Sequence, residues 1–411
     1  MKYQILTLRQ FSFLLVLSLI SGLFTVDLWA LNGAQLTGFT AIHESLGGTG
    51  VARPQDTSTL LVNPAGLSEL PFLVNFNIFL AWPKSQMNTS AAPAGNASGL
   101  VTSNDDPVIL PGGALTYPTP WFHDKLFVGV GLLPVAGFSV DFPSSRLSST
   151  VTGNAYDTHT FYGLFKIVPA VAYKINDKWS VGLAIHIDHA QLETNAAVPG
   201  TFAQTAGGDR GDGAFGIGFG VGVLYKPLDL LSVGLAYTTE QWMQSFERYK
   251  DILPKGLNFP QQLTAGLSLK PLERLIVNTD FHWINWSGAR GGFGTSVASG
   301  GLGWRDQFIA KLGVQYQPLD FLTLRAGYNF GRSAIPSSSL FASQLAIPIG
   351  EHHLGGGVGF RIGKHVRLDV SYLRTLSNTV TDNGTQLAGA GTGAFTRQSV
   401  NQMNTEIGVQ F

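Results

Sequence analysis

Cysteine is absent from this 411-residue chain, which excludes disulfides, thiolate metal sites and cysteine nucleophiles. Charge is sparse: 13% of residues are Asp, Glu, Lys or Arg, and 26 basic residues balance 26 acidic ones. A chain without a basic surplus has no electrostatic footprint for nucleic acid. Beyond residue 30 no stretch approaches 18 uninterrupted apolar residues, so helical membrane spans are excluded too. Glycine, at 50 residues, and aromatics, at 11%, are plentiful. That profile suits many short strands and open loops in an apolar setting.

Residues 1–30 read as a cleaved export signal. Lys2 and Arg9 precede the apolar stretch Phe11 to Ile20, and Leu28-Trp29-Ala30 offers a small residue at the cut. Ser12, Ser18, Ser21, Gly22 and Asp27 interrupt the run before it reaches the roughly 20 residues a spanning helix needs. The mature chain is expected to begin near Leu31 with 24 basic and 25 acidic residues.

Alternation with period two recurs along the rest of the chain, the signal of strands whose two faces see different surroundings. From Phe215 to Tyr225 the odd positions are apolar while Gly216, Gly218, Gly220 and Gly222 fill the even ones. Asn278, Asp280 and His282 share a face opposite Val277, Phe281 and Trp283. His186 with Asp188, Lys311 with Gln315, and Arg367 with Asp369 are other polar-face pairs. A soluble sandwich alternates as well, so alternation alone leaves sandwich and membrane barrel open.

The connections decide between them. Lys226-Pro227, Lys270-Pro271 and Gln317-Pro318 sit in tight polar turns 44 and 47 residues apart, whereas 87–103, 194–213, 287–303 and 381–398 are long and rich in small polar residues. Short turns on one side and long loops on the other are the asymmetry of an outer-membrane barrel. Strands are expected at 71–82, 113–119, 126–142, 159–174, 179–192, 214–226, 231–246, 261–270, 274–286, 306–317, 321–333, 351–362, 366–379 and 402–411. That makes an all-β, transmembrane antiparallel barrel of fourteen strands with both ends periplasmic. Aromatics such as Trp82, Trp121, Trp179, Tyr225, Trp242 and Trp286 fall near strand ends and suit the membrane interfaces. Phe411 closes an alternating last strand, which resembles the signal that outer-membrane barrels present to the assembly machinery.

Residues 31–70 do not read as barrel strands. Small residues, turns and the apolar run Leu60-Leu61-Val62 make a compact unit, ending in Asn63-Pro64-Ala65-Gly66-Leu67 just before the first strand. An export signal, this Asn-Pro-Ala motif and fourteen strands together resemble the FadL family of outer-membrane transporters for long-chain fatty acids and aromatic hydrocarbons. The resemblance implies three domains: 1–30 signal peptide, 31–70 a plug or hatch within the lumen, and 71–411 the barrel. Asn63, Pro64 and Ala65 fall on the family's plug motif, and the resemblance also implies a monomer. Arg53-Pro54 departs from the family, where small residues are more usual.

The third expected strand carries Pro134, which cannot donate to a ladder, among Gly129, Gly131 and Gly137. In the family this strand kinks inward and leaves a gap in the wall, so these four residues are the candidate lateral gate. Residues 241–259 form the most apolar outer loop region, and Trp242, Met243, Phe246, Leu253, Leu257 and Phe259 are the candidate capture surface. Asn63 is expected beside the kinked strand, satisfying backbone that the kink leaves unpaired.

The implied function is passive transport of a hydrophobic small molecule: loop capture, an internal apolar pocket, and lateral exit into lipid beside lipopolysaccharide. A general polar porin, a structural barrel and an outer-membrane lipid hydrolase are the alternatives. Hydrolysis needs a nucleophile within reach of an oriented base. The nine histidines are scattered with no nucleophile motif, so no catalytic residue, metal site or cofactor is expected.

Overall fold

The computed structural model describes residues 32–88, 99–104, 107–145, 156–195, 208, 210–343, 346–385 and 393–411. The expected signal peptide and parts of five outer loops lie outside them. Among the described residues no helix is long and apolar enough to cross a membrane.

One antiparallel sheet holds β1 (Leu73–Asn88), β2 (Leu100–Thr102), β3 (Val108–Pro118), β4 (Leu126–Ser145), β5 (Tyr156–Ile167), β6 (Ala170–Lys174), β7 (Trp179–Thr194), β8 (Asp212–Leu228) and β9 (Leu231–Thr238). It continues through β10 (Trp242–Met243), β11 (Gln262–Leu272), β12 (Leu275–Ile284), β13 (Gln307–Leu319), β14 (Leu322–Gly331), β15 (His352–Ile362), β16 (Val366–Thr381) and β17 (Phe395–Gln410). Sixteen consecutive pairs from Leu73↔Gln410 to Asn88↔Phe395 join the first strand to the last and close the barrel. β2 and β10 are short outer extensions. β5 and β6 form one crossing, because Val168-Pro169 interrupts the strand without changing its register against β7. Fourteen strands therefore span the wall.

Several spans are longer than the sequence suggests, above all β17, which begins at Phe395 rather than 402. The Pro turns behave as their chemistry requires. The ladders shift register at Tyr225/Leu228, Leu269/Leu272 and Tyr316/Leu319, so Pro227, Pro271 and Pro318 sit in bulges, where a missing N–H is tolerated.

The polar and apolar faces fall as the alternation predicts. Phe219, Phe281 and Phe308 point outward and are exposed, while His186, Asp188, Asp280, His282, Lys311, Asp369 and Glu406 are buried inside. Several lumen charges are paired: Lys166 with Asp188 at 3.2 Å, Arg325 with Asp369 at 2.7 Å, and Arg367 with Asp369 at 2.5 Å.

Residues 32–70 pack against these inward faces. Helix α1 (Ala41–Ser45) starts at Thr40, whose hydroxyl accepts from His43 N. Ala41 N donates to Glu406, Gly50 N and Val51 N to Asp280, and Arg53 to Ser268 and Ser232. The departure at Arg53 thus has a partner on the wall. Burial pushes the Glu44 carboxyl up to about 8, and burial with the nearby Lys311 pushes His43 down to about 4, so both are neutral at pH 7. Inward glycines admit the segment: a Cβ at Gly234 would sit 2.1 Å from Val51 O, and one at Gly327 2.0 Å from Gly47 N.

Candidate functional site

The wall is broken between β3 and β4. Their ladder runs from Pro118↔Phe127 only as far as Gly113↔Leu132, although β3 continues against β1 down to Val108 and β4 continues against β5 to Ser145. Continuing that register sets Pro111 opposite Pro134. Thr119 N donates to Leu126 O, so every second pair counted from there, Pro111 with Pro134 included, falls at a hydrogen-bonding position. Both N–H donors are missing at that pair, and the strands part. Directly beyond, Val135 is an extra residue relative to β5.

The freed edge of β4 is taken up from inside. Leu36 N donates to Val135 O and Gly137 N to Ala34 O, both at 2.9 Å, around an antiparallel bridge between Gln35 and Ala136. Farther out, Asn104 N donates to Asp141 O, and Asp141 N to the Ser103 hydroxyl. The opening is thus a window between Leu132 and Asp141 in β4, with Ala34 to Leu36 across its inner side.

Behind it lies a cavity of about 720 Å³ of atom-free space, its mouth included, lined by residues such as Phe79, Leu110, Gly137, Phe138, Phe161 and Tyr162. No lining residue carries a charge. A second, polar chamber on the other side of Gln35 is lined by Lys166, His186, Asp280, His282 and Lys311. The three residues 34–36 therefore separate an apolar space at the wall from a polar one in the lumen.

A family model described as "Outer membrane protein transport protein (OMPP1/FadL/TodX)" matches residues 33–410. The chain belongs to this family. It is an outer-membrane β-barrel. The toluene transporter TodX of P. putida superposes with a TM-score of 0.69 at 18% identity, covering 92% of this chain and 99% of that one. The toluene transporter TbuX of Ralstonia pickettii gives 0.67 at 18%, and a Pseudomonas aeruginosa FadL homologue 0.65 at 15%, each with the same coverage. At such identities the likeness establishes the shared fold. No curated protein matches the sequence.

Within this FadL-like frame Pro134 and Gly137 lie at the break. Gly129 and Gly131 lie below it on the paired part of β4, where a Cβ would come within 3.0 Å of Leu60. Leu60, in helix α2 (Thr59–Val62), packs with Leu67 against the small inward residues Ala114, Ala170, Ala172 and Ala184. These two glycines make room for the N-terminal segment rather than for an opening.

The Asn-Pro-Ala motif does not bond the backbone of the kinked strand, contrary to the expectation from sequence. Asn63 caps the 3-10 helix Pro64–Glu69 through Ala65 N, and its amide donates to Val51 O and to Val223 O of β8. A Cβ at Gly222 would lie 1.9 Å from Asn63 Oδ1, and one at Gly182 2.2 Å from Ala65 N, so glycines on β7 and β8 fix this seat. The unpaired backbone of β4 is met instead by Ala34 and Leu36, residues that carry no motif.

The residues assigned to the capture surface divide. Trp242 is exposed on the outer face, edge-on to Phe219. Phe246, Leu257 and Phe259 are buried with Trp286, Phe293 and Trp304 in an aromatic cluster, against which Met243 and Leu253 pack. Ring centroids of Trp286, Phe293 and Trp304 lie 4.7–5.0 Å apart. The apolar loop residues thus close over one another instead of standing open, because apolar area that can be buried is buried. Phe293 comes from the 287–303 region, which composition marks only as small and polar, and Trp286 and Trp304 flank that region on either side.

Proposed function

We infer that this barrel carries hydrophobic small molecules, hydrocarbons or long-chain fatty acids, passively across the outer membrane and releases them sideways into lipid. The observation that carries this reading is the uncharged cavity directly behind a stretch of wall without strand pairing. An apolar solute finds no favourable path through a water-filled pore, so apolar rings outside, an apolar pocket and a lateral opening form a continuous route. Capture falls to the cluster around Trp242, Met243, Phe246, Leu253, Leu257 and Phe259, which must loosen to admit cargo. Residues 31–70, held by Asn63, Pro64 and Ala65, act as the plug that keeps the polar lumen from serving as a pore. The named transporters TodX and TbuX support a hydrocarbon cargo.

The test is Gly137→Trp, which fills the cavity where a Cβ already meets Tyr162 O at 3.0 Å. Heat-modifiable migration on a gel is expected to stay normal while uptake of labelled toluene and of a labelled fatty acid falls to background. Normal folding with unchanged uptake of both would overturn the lateral route. Rapid swelling of protein-loaded liposomes in sugars would instead mark a polar porin.

A further inference from the structure

The cavity behind the window is apolar but not featureless. Two of its lining side chains, Tyr162 on β5 and Gln402 on β17, are more than nine-tenths buried, and the Tyr162 hydroxyl and the Gln402 amide oxygen have no hydrogen-bond partner among the described residues. Other buried polar atoms of the described residues also lack a partner, but these two are the ones that line this cavity, and leaving a buried donor or acceptor unmade costs roughly 1–3 kcal/mol. Their neighbours offer little help. Tyr162 stacks on Phe138 with ring centroids 5.2 Å apart and 22° between planes, and it meets Phe293 edge-on at 6.2 Å. Another glutamine of the same β17 face, Gln398, is by contrast satisfied: it accepts from Ile349 N and donates to Ser85.

We propose that this cavity is a recognition site for uncharged aromatic hydroxyl compounds, the alkylphenols, in preference both to bare hydrocarbons and to carboxylates; it rests on the uptake reading above and deepens it. Phe79, Phe138, Phe161 and Tyr162 offer rings with which an aromatic ring can stack or meet edge-to-face. A ligand hydroxyl accepts from the Tyr162 hydroxyl or donates to the Gln402 oxygen, so it can satisfy the group on either flank. A hydrocarbon satisfies neither. A carboxylate has no proton for the Gln402 oxygen and would be buried where no lining residue carries a compensating charge. A phenol keeps its proton at neutral pH, as the ordinary phenolic pKa near 10 dictates. Discrimination through buried polar groups left unpaired by the wrong ligand is the strong form of selectivity.

The experiment is equilibrium binding of p-cresol, toluene and 4-methylbenzoate to the folded full-length barrel in detergent, by calorimetry at pH 7. p-Cresol is expected to bind tightest, ahead of toluene by roughly 2- to 10-fold, the yield of one net hydrogen bond. Tyr162→Phe and Gln402→Leu, each checked for heat-modifiable folding, are the two variants. At least one should lower the p-cresol-to-toluene affinity ratio by a similar factor. Toluene binding as tightly as p-cresol in the unaltered protein, 4-methylbenzoate binding tightest, or a ratio unmoved by both substitutions would each overturn the assignment. Uptake of the same compounds into whole cells is measured in parallel. Lost uptake with the binding order intact counts against the transport reading alone, and uptake without that order counts against the phenol site alone.

Discussion

The β7–β8 wall and the β3–β4 seam both touch the N-terminal segment, and they do so in opposite ways. β7 and β8 pair without interruption from Trp179↔Tyr225 to Leu192↔Asp212. Nothing is missing from that backbone, and the segment is received by an absence of side chains, at Gly182 and Gly222. At the seam the side chains remain, but the backbone of β4 loses its neighbour after Leu132 and takes Ala34 to Leu36 in exchange. One wall accommodates the segment as a surface accommodates a ligand. The other accepts it as a strand. The difference locates the weak place in the barrel: a complete ladder resists opening along its whole length, whereas three residues of substitute strand supply only two backbone hydrogen bonds.

The largest expected effect belongs to the complete wall and its lipid face. Phe219→Arg, near the middle of β8 and exposed outward, should destabilise the barrel by roughly 2–4 kcal/mol in urea unfolding from lipid vesicles. A loss no greater than that of a loop substitution would mean that the inside and outside faces are misassigned.

The next effect separates wall from segment. Gly222→Val places a side chain on the Asn63 amide, an overpacking expected to cost about 1–3 kcal/mol. Its mark should be local: limited proteolysis near Asn63 accelerates while β7–β8 amides keep their exchange protection. Protection lost along β8 would show that the ladder depends on the segment after all.

The smallest effect has the opposite sign and concerns the seam. Pro111→Val with Pro134→Val restores two N–H donors, each worth about 0.5–1.5 kcal/mol once bonded. The double variant should unfold at higher urea and take up labelled toluene more slowly, because the window has closed. Unchanged stability and uptake would show that the kink, rather than the missing donors, holds the strands apart.

Much of this was legible in the residues. Period-two alternation assigned His186, Asp188, Asp280 and His282 to the lumen and Phe219 and Phe281 to the outside, and the Pro turns marked one end of the barrel. Two local readings failed for lack of a partner in view. The apolar loop residues read as an open surface because Trp286, Phe293 and Trp304, which cover them, lie 27 residues or more along the chain from Phe259. Asn63 was expected at the kink because a carboxamide suits unpaired backbone, but the glycines of β7 and β8 that receive it identify themselves only once the strands are side by side.

The sequence by itself determined strand number and the facing of the alternating strand residues, because these follow from local periodicity and turn chemistry. It also determined that β4 would be irregular, since a proline in a strand removes a donor wherever it falls. Only the tertiary structure decided that the strand register sets Pro134 opposite Pro111, that Ala34 to Leu36 cross behind them, and that Tyr162 and Gln402 share one cavity. Those juxtapositions depend on the register of strands far apart in the chain. Register is fixed by closure of the whole sheet, and a shift of one residue would have turned every side chain of a strand to the other face.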